Sequence, residues 1–153
     1  MEGLKALSDI GYLLVVVTNQ SGSARGYYTE DDYRRLDEWM KADLLEKGVK
    51  IEASYFCPHL PNAVVPEYAI ECECRKPGTK LFWQAAEDLD IDMNRSFAIG
   101  DKLRDLSICD ESGVKGILLG KEANVSDGII ACSSWHEIIN SLNSLQQKCE
   151  NAE

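Results

Sequence analysis

The chain has 153 residues, of which 44% are hydrophobic, and its formal net charge is −10. This length and apolar content suffice for one packed domain. The acidic balance argues against a nucleic-acid or membrane-surface binder, because both need a basic face. No apolar run approaches the ~18 residues of a membrane span, and no secretory signal is recognisable at the start. We therefore expect a cytoplasmic protein.

Helices and strands are predicted to alternate along the chain. Residues 3–9 read as a helix that ends at Gly11, and the apolar, β-branched run 12–17 is typical of a buried parallel strand. Thr29 and Asp32 predict the capped start of a second helix. The elements predicted after it are a strand at 51–56, a loop at 57–74, a helix at 79–89, a strand at 96–99, a helix at 103–112, strands at 114–119 and 128–132, and a helix at 134–147.

This alternation predicts an α/β fold, a three-layer Rossmann-like arrangement with helices on both faces of a parallel sheet. No internal repeat or linker divides the sequence, so we expect a single domain over residues 1–153. In such sheets ligands bind at the carboxyl ends of the strands. The residues that directly follow each strand are therefore the candidates for function.

A polar loop follows the first predicted strand. Residues 18–22 read Thr-Asn-Gln-Ser-Gly, and Arg25 comes shortly after. A hydroxyl at a strand end, followed by backbone N–H groups of a glycine-containing loop, is suited to hold a phosphate. An ordinary polar turn is the alternative interpretation.

An acidic pair follows the strand predicted at 96–99. Asp101 stands at the strand tip beside Lys102, and Asp105 comes four residues after Asp101. Two carboxylates in this position suit a hard cation such as Mg²⁺. A helix N-terminus, where aspartate is favoured by capping and by the helix dipole, explains the same residues without a metal.

Two adjacent cations, Arg75 and Lys76, precede a proline. In an acidic chain that has other anion-friendly loops they are candidate phosphate ligands. Solvated surface charge is the alternative.

The strongest local signal is a cluster of cysteines with a histidine. Cys57 and His59 are followed, after a proline-containing loop, by Cys72 and Cys74. Three thiolates and one imidazole are typical of closed structural zinc sites, although the usual spacing within a ligand pair is two to four residues. A metal would also order a loop that has little else to pack with. The alternative is three idle cysteines and a surface histidine.

Four segments together resemble the haloacid-dehalogenase-like phosphatases. They are VVVTNQSGSARGYYTE (15–30), CPH (57–59), CECRKP (72–77) and AIGDKLRD (98–105). The branch that they match is that of the D-glycero-D-manno-heptose 1,7-bisphosphate 7-phosphatases, with the histidinol-phosphate phosphatases as near relatives. The resemblance runs in order over nearly the whole chain.

The resemblance implies a role for each candidate residue. Thr18 would hold the transferring phosphoryl group and Lys76 would neutralise its oxygens, so these two are the expected catalytic residues of the chain. Asp101 would bind Mg²⁺, with Asp105 behind it. Zinc would be bound in the loop 57–74 by Cys57, His59, Cys72 and Cys74. The residues expected to bind substrate are Thr18, Asn19, Gln20, Ser21, Arg25, Arg75, Lys76 and Lys102.

One motif of the resembled family does not occur in these 153 residues. That motif, D-x-D-G-T, follows the central first strand of the family's sheet and carries the nucleophilic aspartate and the general acid. Asp90 and Asp92 form a D-x-D pair, but they follow a helix and no Gly-Thr comes after them. We therefore expect an N-terminally truncated, inactive chain in which that central strand is missing, next to the strands at 12–17 and 96–99.

The function expected from the resemblance is hydrolysis of a sugar phosphate monoester, the 7-phosphate of a heptose bisphosphate, through an aspartyl-phosphate. Histidinol-phosphate hydrolysis and a non-catalytic phosphate-binding or interaction module are the alternatives. The expected partner is a small sugar phosphate, with neither nucleic acid nor membrane, and a complete protein is expected to be monomeric.

Overall fold

The computed structural model describes residues 1–120 and 128–150, with side chains up to residue 144 in the last helix. In this part of the chain four α-helices alternate with five β-strands. They are α1 (Glu2–Ile10), β1 (Leu14–Asn19), α2 (Glu30–Glu46), β2 (Ile51–Cys57), α3 (Lys80–Leu89), β3 (Phe97–Gly100), β4 (Lys115–Leu119), β5 (Ile129–Cys132) and α4 (Trp135–Glu150). Short 3₁₀ helices lie at Pro66–Tyr68, Met93–Arg95 and Leu103–Asp110.

The chain divides into two compact units, which are described separately. One comprises residues 12–92, and the other comprises residues 1–11 together with 93–153. Every strand pairing in the described residues is parallel, which confirms the predicted α/β class. Among these residues, none of the helices combines the length and apolar character that crossing a membrane requires.

In the 12–92 unit, a two-stranded sheet lies between two helices. β1 pairs with β2 in parallel, with Thr18 opposite Phe56. The Phe56 ring packs on Tyr33 of α2, with 4.6 Å between ring centroids. The neighbouring Tyr55 donates its hydroxyl to Asp88 of α3 at 3.0 Å. Because successive side chains of a strand point to opposite faces, α2 and α3 cover the two faces of this sheet.

The predicted cap at the start of α2 is confirmed. The Thr29 hydroxyl accepts from the main-chain N–H of Asp32 at 3.1 Å, and the Asp32 carboxylate accepts from the Thr29 N–H at 2.9 Å. These reciprocal bonds satisfy two amide donors that a helix start would otherwise leave open. The hydrogen bond from the Thr29 N–H lowers the pKa of Asp32. The cap fixes where the segment that follows β1 turns into α2.

The other unit is built around a three-stranded parallel sheet in the order β3-β4-β5. The central strand β4 supplies Ile117 and Leu118, which are 0% and 1% exposed. Ile138 and Leu142 of α4 are buried to the same degree. Side chains of the 3₁₀ helix Leu103–Asp110 are equally buried, so the core of this unit lies where the sheet meets α4 and that 3₁₀ helix.

Replacing Gly3 with alanine is expected to destabilise the protein. Gly3 is buried in α1, and a Cβ there would lie 2.6 Å from Cε3 of Trp135, the first residue of α4. Alanine gains about 1 kcal/mol in helix propensity over glycine, but forcing an atom into a packed contact costs about 1–3 kcal/mol. Because the indole ring must move, we expect a net loss of about 1 kcal/mol in the free energy of unfolding, measured by urea denaturation.

A matched control for this substitution is Gly120→Ala in the same unit. A Cβ at Gly120 would have no heavy atom within 4 Å, so this variant should unfold like wild type. A Gly3→Ala protein that is as stable as wild type would mean that helix propensity outweighs the overlap with Trp135.

Two of the predicted elements differ from the observed ones in ways that main-chain hydrogen bonds explain. The first strand was expected at 12–17 but lies at Leu14–Asn19, because its ladder with β2 continues up to the pair Asn19–Cys57. The helix expected at 103–112 is a 3₁₀ helix, Leu103–Asp110. Main-chain hydrogen bonds at both of its ends join residues three apart, from Asp105 N to Lys102 O and from Glu111 N to Ile108 O.

Candidate functional site

The polar loop predicted after the first strand begins within the strand itself. Thr18 and Asn19 are the last two residues of β1, and Gln20 follows with its N–H bonded to the Cys57 carbonyl at 2.7 Å. The Gln20 side chain donates to the Thr18 hydroxyl at 3.2 Å. Thr18 is therefore held at the carboxyl end of a parallel strand, as expected for a ligand site.

Tyr28 supports this loop and was not found from the sequence. Its hydroxyl donates to the Gln20 side-chain oxygen at 2.7 Å. A Cβ at Gly22 would lie 2.1 Å from the Tyr28 ring, so only glycine fits beneath it. Only the three-dimensional turn brings Tyr28 onto Gly22 and Gln20, and no sequence signal marks it.

Ser21 and Arg25 belong to one tight turn of the loop. The Arg25 N–H donates to the Ser21 carbonyl at 3.1 Å. The Arg25 side chain is exposed, whereas Ser21 is half-buried. Both residues lie in the segment between β1 and α2, so this segment carries a cation.

Lys76 follows the loop 57–74, which we call the metal loop because it carries the four predicted zinc ligands, and it reaches the same strand end. Its main-chain N–H donates to the Asn19 side-chain oxygen at 2.9 Å, and its carbonyl accepts from the Asn19 side-chain nitrogen at 3.1 Å. Its Nζ donates to the Val17 carbonyl at 2.7 Å. The structure therefore brings Lys76 to the strand end that carries Thr18 and Asn19, although Lys76 is 57 positions after Asn19 in the sequence.

The Val17 carbonyl lies on the side of β1 that faces away from β2. Gln20 N–H bonds to β2, and main-chain groups alternate sides along a strand. The main-chain groups of Thr18 therefore point towards β2, like those of Gln20, and the main-chain groups of Val17 point away from β2. The Lys76 ammonium thus lies along the outer edge of β1, near its carboxyl end.

Arg75 connects the cations to the metal loop. Its guanidinium donates to the main-chain carbonyl of His59 at 3.1 Å. Arg75 and Lys76 are both half-buried. Neither residue is a freely solvated surface charge, which was the alternative interpretation of this pair.

The four predicted zinc ligands form one cluster. Their ligand atoms all lie within 4.8 Å of one another. Sγ–Sγ distances run from 3.0 Å for Cys72–Cys74 to 3.6 Å for Cys57–Cys72. His59 Nδ1 lies 3.2 Å from Cys74 Sγ. A tetrahedral zinc with ~2.3 Å Zn–S bonds would give Sγ–Sγ edges of about 3.8 Å, so a small outward movement fits the four donors to that ion.

These cysteines are thiols rather than disulfides. All three are free, and the shortest Sγ–Sγ distance is well beyond the ~2.05 Å of a disulfide bond. Burial, together with hydrogen bonding to Cys74, raises the pKa of Cys57. Burial opposes ionisation at Cys72 as well, yet hydrogen bonds from Cys74 and from the Arg75 N–H lower its pKa. The cluster gathers thiol groups at one point, an arrangement that a soft divalent ion would stabilise.

The predicted acidic residues belong to the other unit. Asp101 follows β3 directly and is exposed, as is Lys102. Asp105 is half-buried, and its carboxylate accepts from the Lys102 N–H at 3.2 Å. Carboxylate oxygens at a strand end are chemically suited to Mg²⁺. Asp105 is engaged with the main chain, which leaves Asp101 as the carboxylate at the tip.

A family model described as HAD-hydrolase-like matches residues 73–143 of the chain. A curated D-glycero-β-D-manno-heptose-1,7-bisphosphate 7-phosphatase from Haemophilus ducreyi is 50% identical over 115 residues, which cover 74% of this chain and 63% of that protein. The chain therefore spans somewhat less than two thirds of this relative. The enzyme of the same name from Yersinia pestis is 38% identical over 144 residues, which cover 93% of this chain and 75% of that protein.

Among solved structures, the chain is similar to the D,D-heptose 1,7-bisphosphate phosphatase from B. bronchiseptica complexed with magnesium and phosphate. The TM-score is 0.78 at 26% sequence identity, and the match covers 95% of this chain and 81% of that one. The similarity extends over both units that the structure describes.

Proposed function

Because this chain belongs to the heptose-1,7-bisphosphate 7-phosphatase family of the HAD-like hydrolases, we propose that it binds the phosphate of a heptose bisphosphate and takes part in hydrolysing the 7-phosphate ester. The observation that supports this proposal is that the Lys76 ammonium group donates to the carbonyl of Val17, the residue before Thr18 at the carboxyl end of β1. A hydroxyl and an ammonium group at one strand end offer complementary donors to phosphoryl oxygens. The substrate class comes from the relatives.

The residues of the site would have different roles in binding the phosphate. Thr18 would donate its hydroxyl to a phosphoryl oxygen, with Gln20 and Ser21 beside it. Lys76 would neutralise the charge that develops during phosphoryl transfer, which is mainly a problem of positioning and electrostatics. Arg25 and Arg75 are the further cations near this loop, suited to the second phosphate or the sugar. The general acid and the nucleophile are not assigned to residues of this chain.

Zinc is proposed as a structural ion of the loop 57–74, which leads from the end of β2 to Arg75 and Lys76. The clustering of Cys57, His59, Cys72 and Cys74 supports this role, since four protein donors leave no open coordination position for chemistry. Arg75 and Lys76 directly follow Cys74. An ordered loop would therefore fix the main-chain positions of both cationic residues.

Magnesium is proposed as the catalytic ion. The B. bronchiseptica relative was solved with magnesium and phosphate, and Asp101 is an exposed carboxylate at a strand end. When bound, Mg²⁺ would supply charge neutralisation for the phosphate. Asp101 would hold it, and Asp105 would stay bonded to the Lys102 main chain.

The proposed function is tested by measuring phosphate release from three substrates side by side. These are the α and β anomers of D-glycero-D-manno-heptose 1,7-bisphosphate and histidinol phosphate, each with Mg²⁺. The assay uses the chain as it stands and, in parallel, the product of the same reading frame extended upstream. In whichever of the two proteins is active, we expect phosphate release from a heptose bisphosphate and none from histidinol phosphate.

A preference for histidinol phosphate would reassign the substrate. If neither protein releases phosphate, we test whether the chain binds inorganic phosphate at the proposed site. Binding that depends on Lys76 would support the non-catalytic phosphate-binding module, and absence of binding would refute the proposed site.

A further inference from the structure

Asn19 makes a two-point contact with the main chain of Lys76. Its Oδ1 accepts from the Lys76 N–H at 2.9 Å, and its Nδ2 donates to the Lys76 carbonyl at 3.1 Å. The two residues are 57 positions apart, so this contact is tertiary. We call it the Asn19–Lys76 clamp.

The clamp needs a side chain that carries a donor and an acceptor next to each other. The Lys76 N–H can only donate and its carbonyl can only accept, so the contact fixes the orientation of the carboxamide. A carboxylate would keep the first bond but would turn an oxygen towards the Lys76 carbonyl oxygen. Serine could make one of the two bonds, and alanine neither.

The clamp lies between the metal loop and the strand end. Asn19 pairs with Cys57 at the end of the β1–β2 ladder. On the other side, Arg75 donates to the His59 carbonyl at 3.1 Å, and the Lys76 Nζ reaches Val17 at 2.7 Å. The Asn19 side chain thus holds the main chain of Lys76 at the end of β1, and from there the Lys76 side chain extends along the strand to Val17.

We infer that Asn19 is a positioning residue, which acts on phosphate through Lys76 by holding the lysine main chain against the end of β1. The inference rests on the proposed function, in which the Lys76 ammonium binds the phosphoryl group. Both polar atoms of the Asn19 side chain are engaged by Lys76. The carboxamide therefore fixes the origin of the lysine side chain instead of contacting the phosphate.

Asn19→Ala and Asn19→Asp test the inference in the zinc-loaded chain, with inorganic phosphate as the probe. Isothermal titration calorimetry should show about a tenfold loss of phosphate affinity in both variants, the effect of losing one or two well-formed hydrogen bonds. In Asn19→Ala, hydrogen exchange at the Lys76 amide should also accelerate. Asn140→Asp, exposed on α4, makes the same chemical change away from the clamp and should bind like wild type.

The pH dependence separates positioning from a general structural effect. In the Asn19→Asp variant, the protonated carboxyl group can donate its O–H to the Lys76 carbonyl and still accept from the Lys76 N–H, which restores the clamp. Only the neutral acid makes both bonds, so protonation of the introduced carboxyl group should restore the clamp. Relative to wild type at the same pH, the phosphate affinity of Asn19→Asp should therefore rise as the pH is lowered and the carboxyl group becomes protonated, whereas that of Asn19→Ala should not.

The possible failures can be told apart. If phosphate binding depends on Lys76 but is unchanged in both Asn19 variants, the positioning role is wrong and the proposed function stands. If Asn19→Ala weakens binding while exchange at the Lys76 amide stays as in wild type, Asn19 contacts phosphate directly and the inference is overturned. If the wild-type chain does not bind phosphate, the proposed function fails and the inference fails with it. If Asn19→Ala and Asn19→Asp fold poorly, Asn19→Ser takes their place in the test. It keeps one of the two bonds, so its phosphate affinity should lie between that of wild type and about a tenfold loss.

Discussion

Replacing Lys76 with methionine is expected to reduce phosphate turnover by at least about a hundredfold, the usual cost of removing one preorganised charge or donor from a transition state. Methionine keeps most of the length and apolar stem of lysine but removes the ammonium group that donates to the Val17 carbonyl at 2.7 Å. Turnover is measured in whichever form of the protein the substrate assay finds active. Binding of inorganic phosphate to the chain itself should fall in parallel.

Lys80→Met is the matched control for this substitution. Lys80 is the first residue of α3 and is exposed, so the variant removes the same charge four residues away. It should retain turnover and phosphate affinity within a few-fold. Activity of Lys76→Met close to wild type would take Lys76 out of the mechanism.

Replacing Cys72 with serine is expected to release the zinc ion and to lower stability. The sulfur atom of Cys72 lies 3.0 Å from that of Cys74 and 3.6 Å from that of Cys57, so its loss leaves three donors of the cluster. A ligand present at a thousand times its Kd contributes about 4 kcal/mol, and we expect a loss of that order. Zinc content by mass spectrometry and the melting temperature are the measurements.

Cys109→Ser makes the same substitution outside the cluster. Cys109 is half-buried in the other unit, where burial raises the pKa of its thiol. This variant should keep its zinc. A chelator should lower the melting temperature of wild type and of Cys109→Ser, but should change that of Cys72→Ser little. Cys72→Ser protein that binds one zinc ion per chain and melts like wild type would refute the assignment.

The clustering of the three cysteines with His59 could be predicted from the sequence because its signal is local. Cysteine and histidine have few other reasons to recur at such spacing, and the loop between them is short. The cap of α2 is equally local, since Thr29 and Asp32 are three residues apart. Both elements depend on side chains that recognise each other within one short segment.

The contacts of Lys76 could not be predicted in this way. Its partners Val17 and Asn19 are more than 50 residues away, and no periodicity encodes which strand edge a lysine reaches. The resemblance implied that Thr18 and Lys76 act together, but not that Asn19 binds the lysine main chain. The 3₁₀ form of Leu103–Asp110 also escaped prediction, because α- and 3₁₀-helical turns share the same residue preferences.

The position of the Lys76 ammonium has a consequence for solution behaviour. β1 ends its two-stranded sheet, and a strand in that position offers main-chain groups with which another polypeptide can pair. We expect a charged lysine bonded to the outward Val17 carbonyl to hinder such pairing. Concentrated Lys76→Met protein should therefore scatter more light than Lys80→Met protein, which carries the same net charge but keeps Lys76 at the edge of β1.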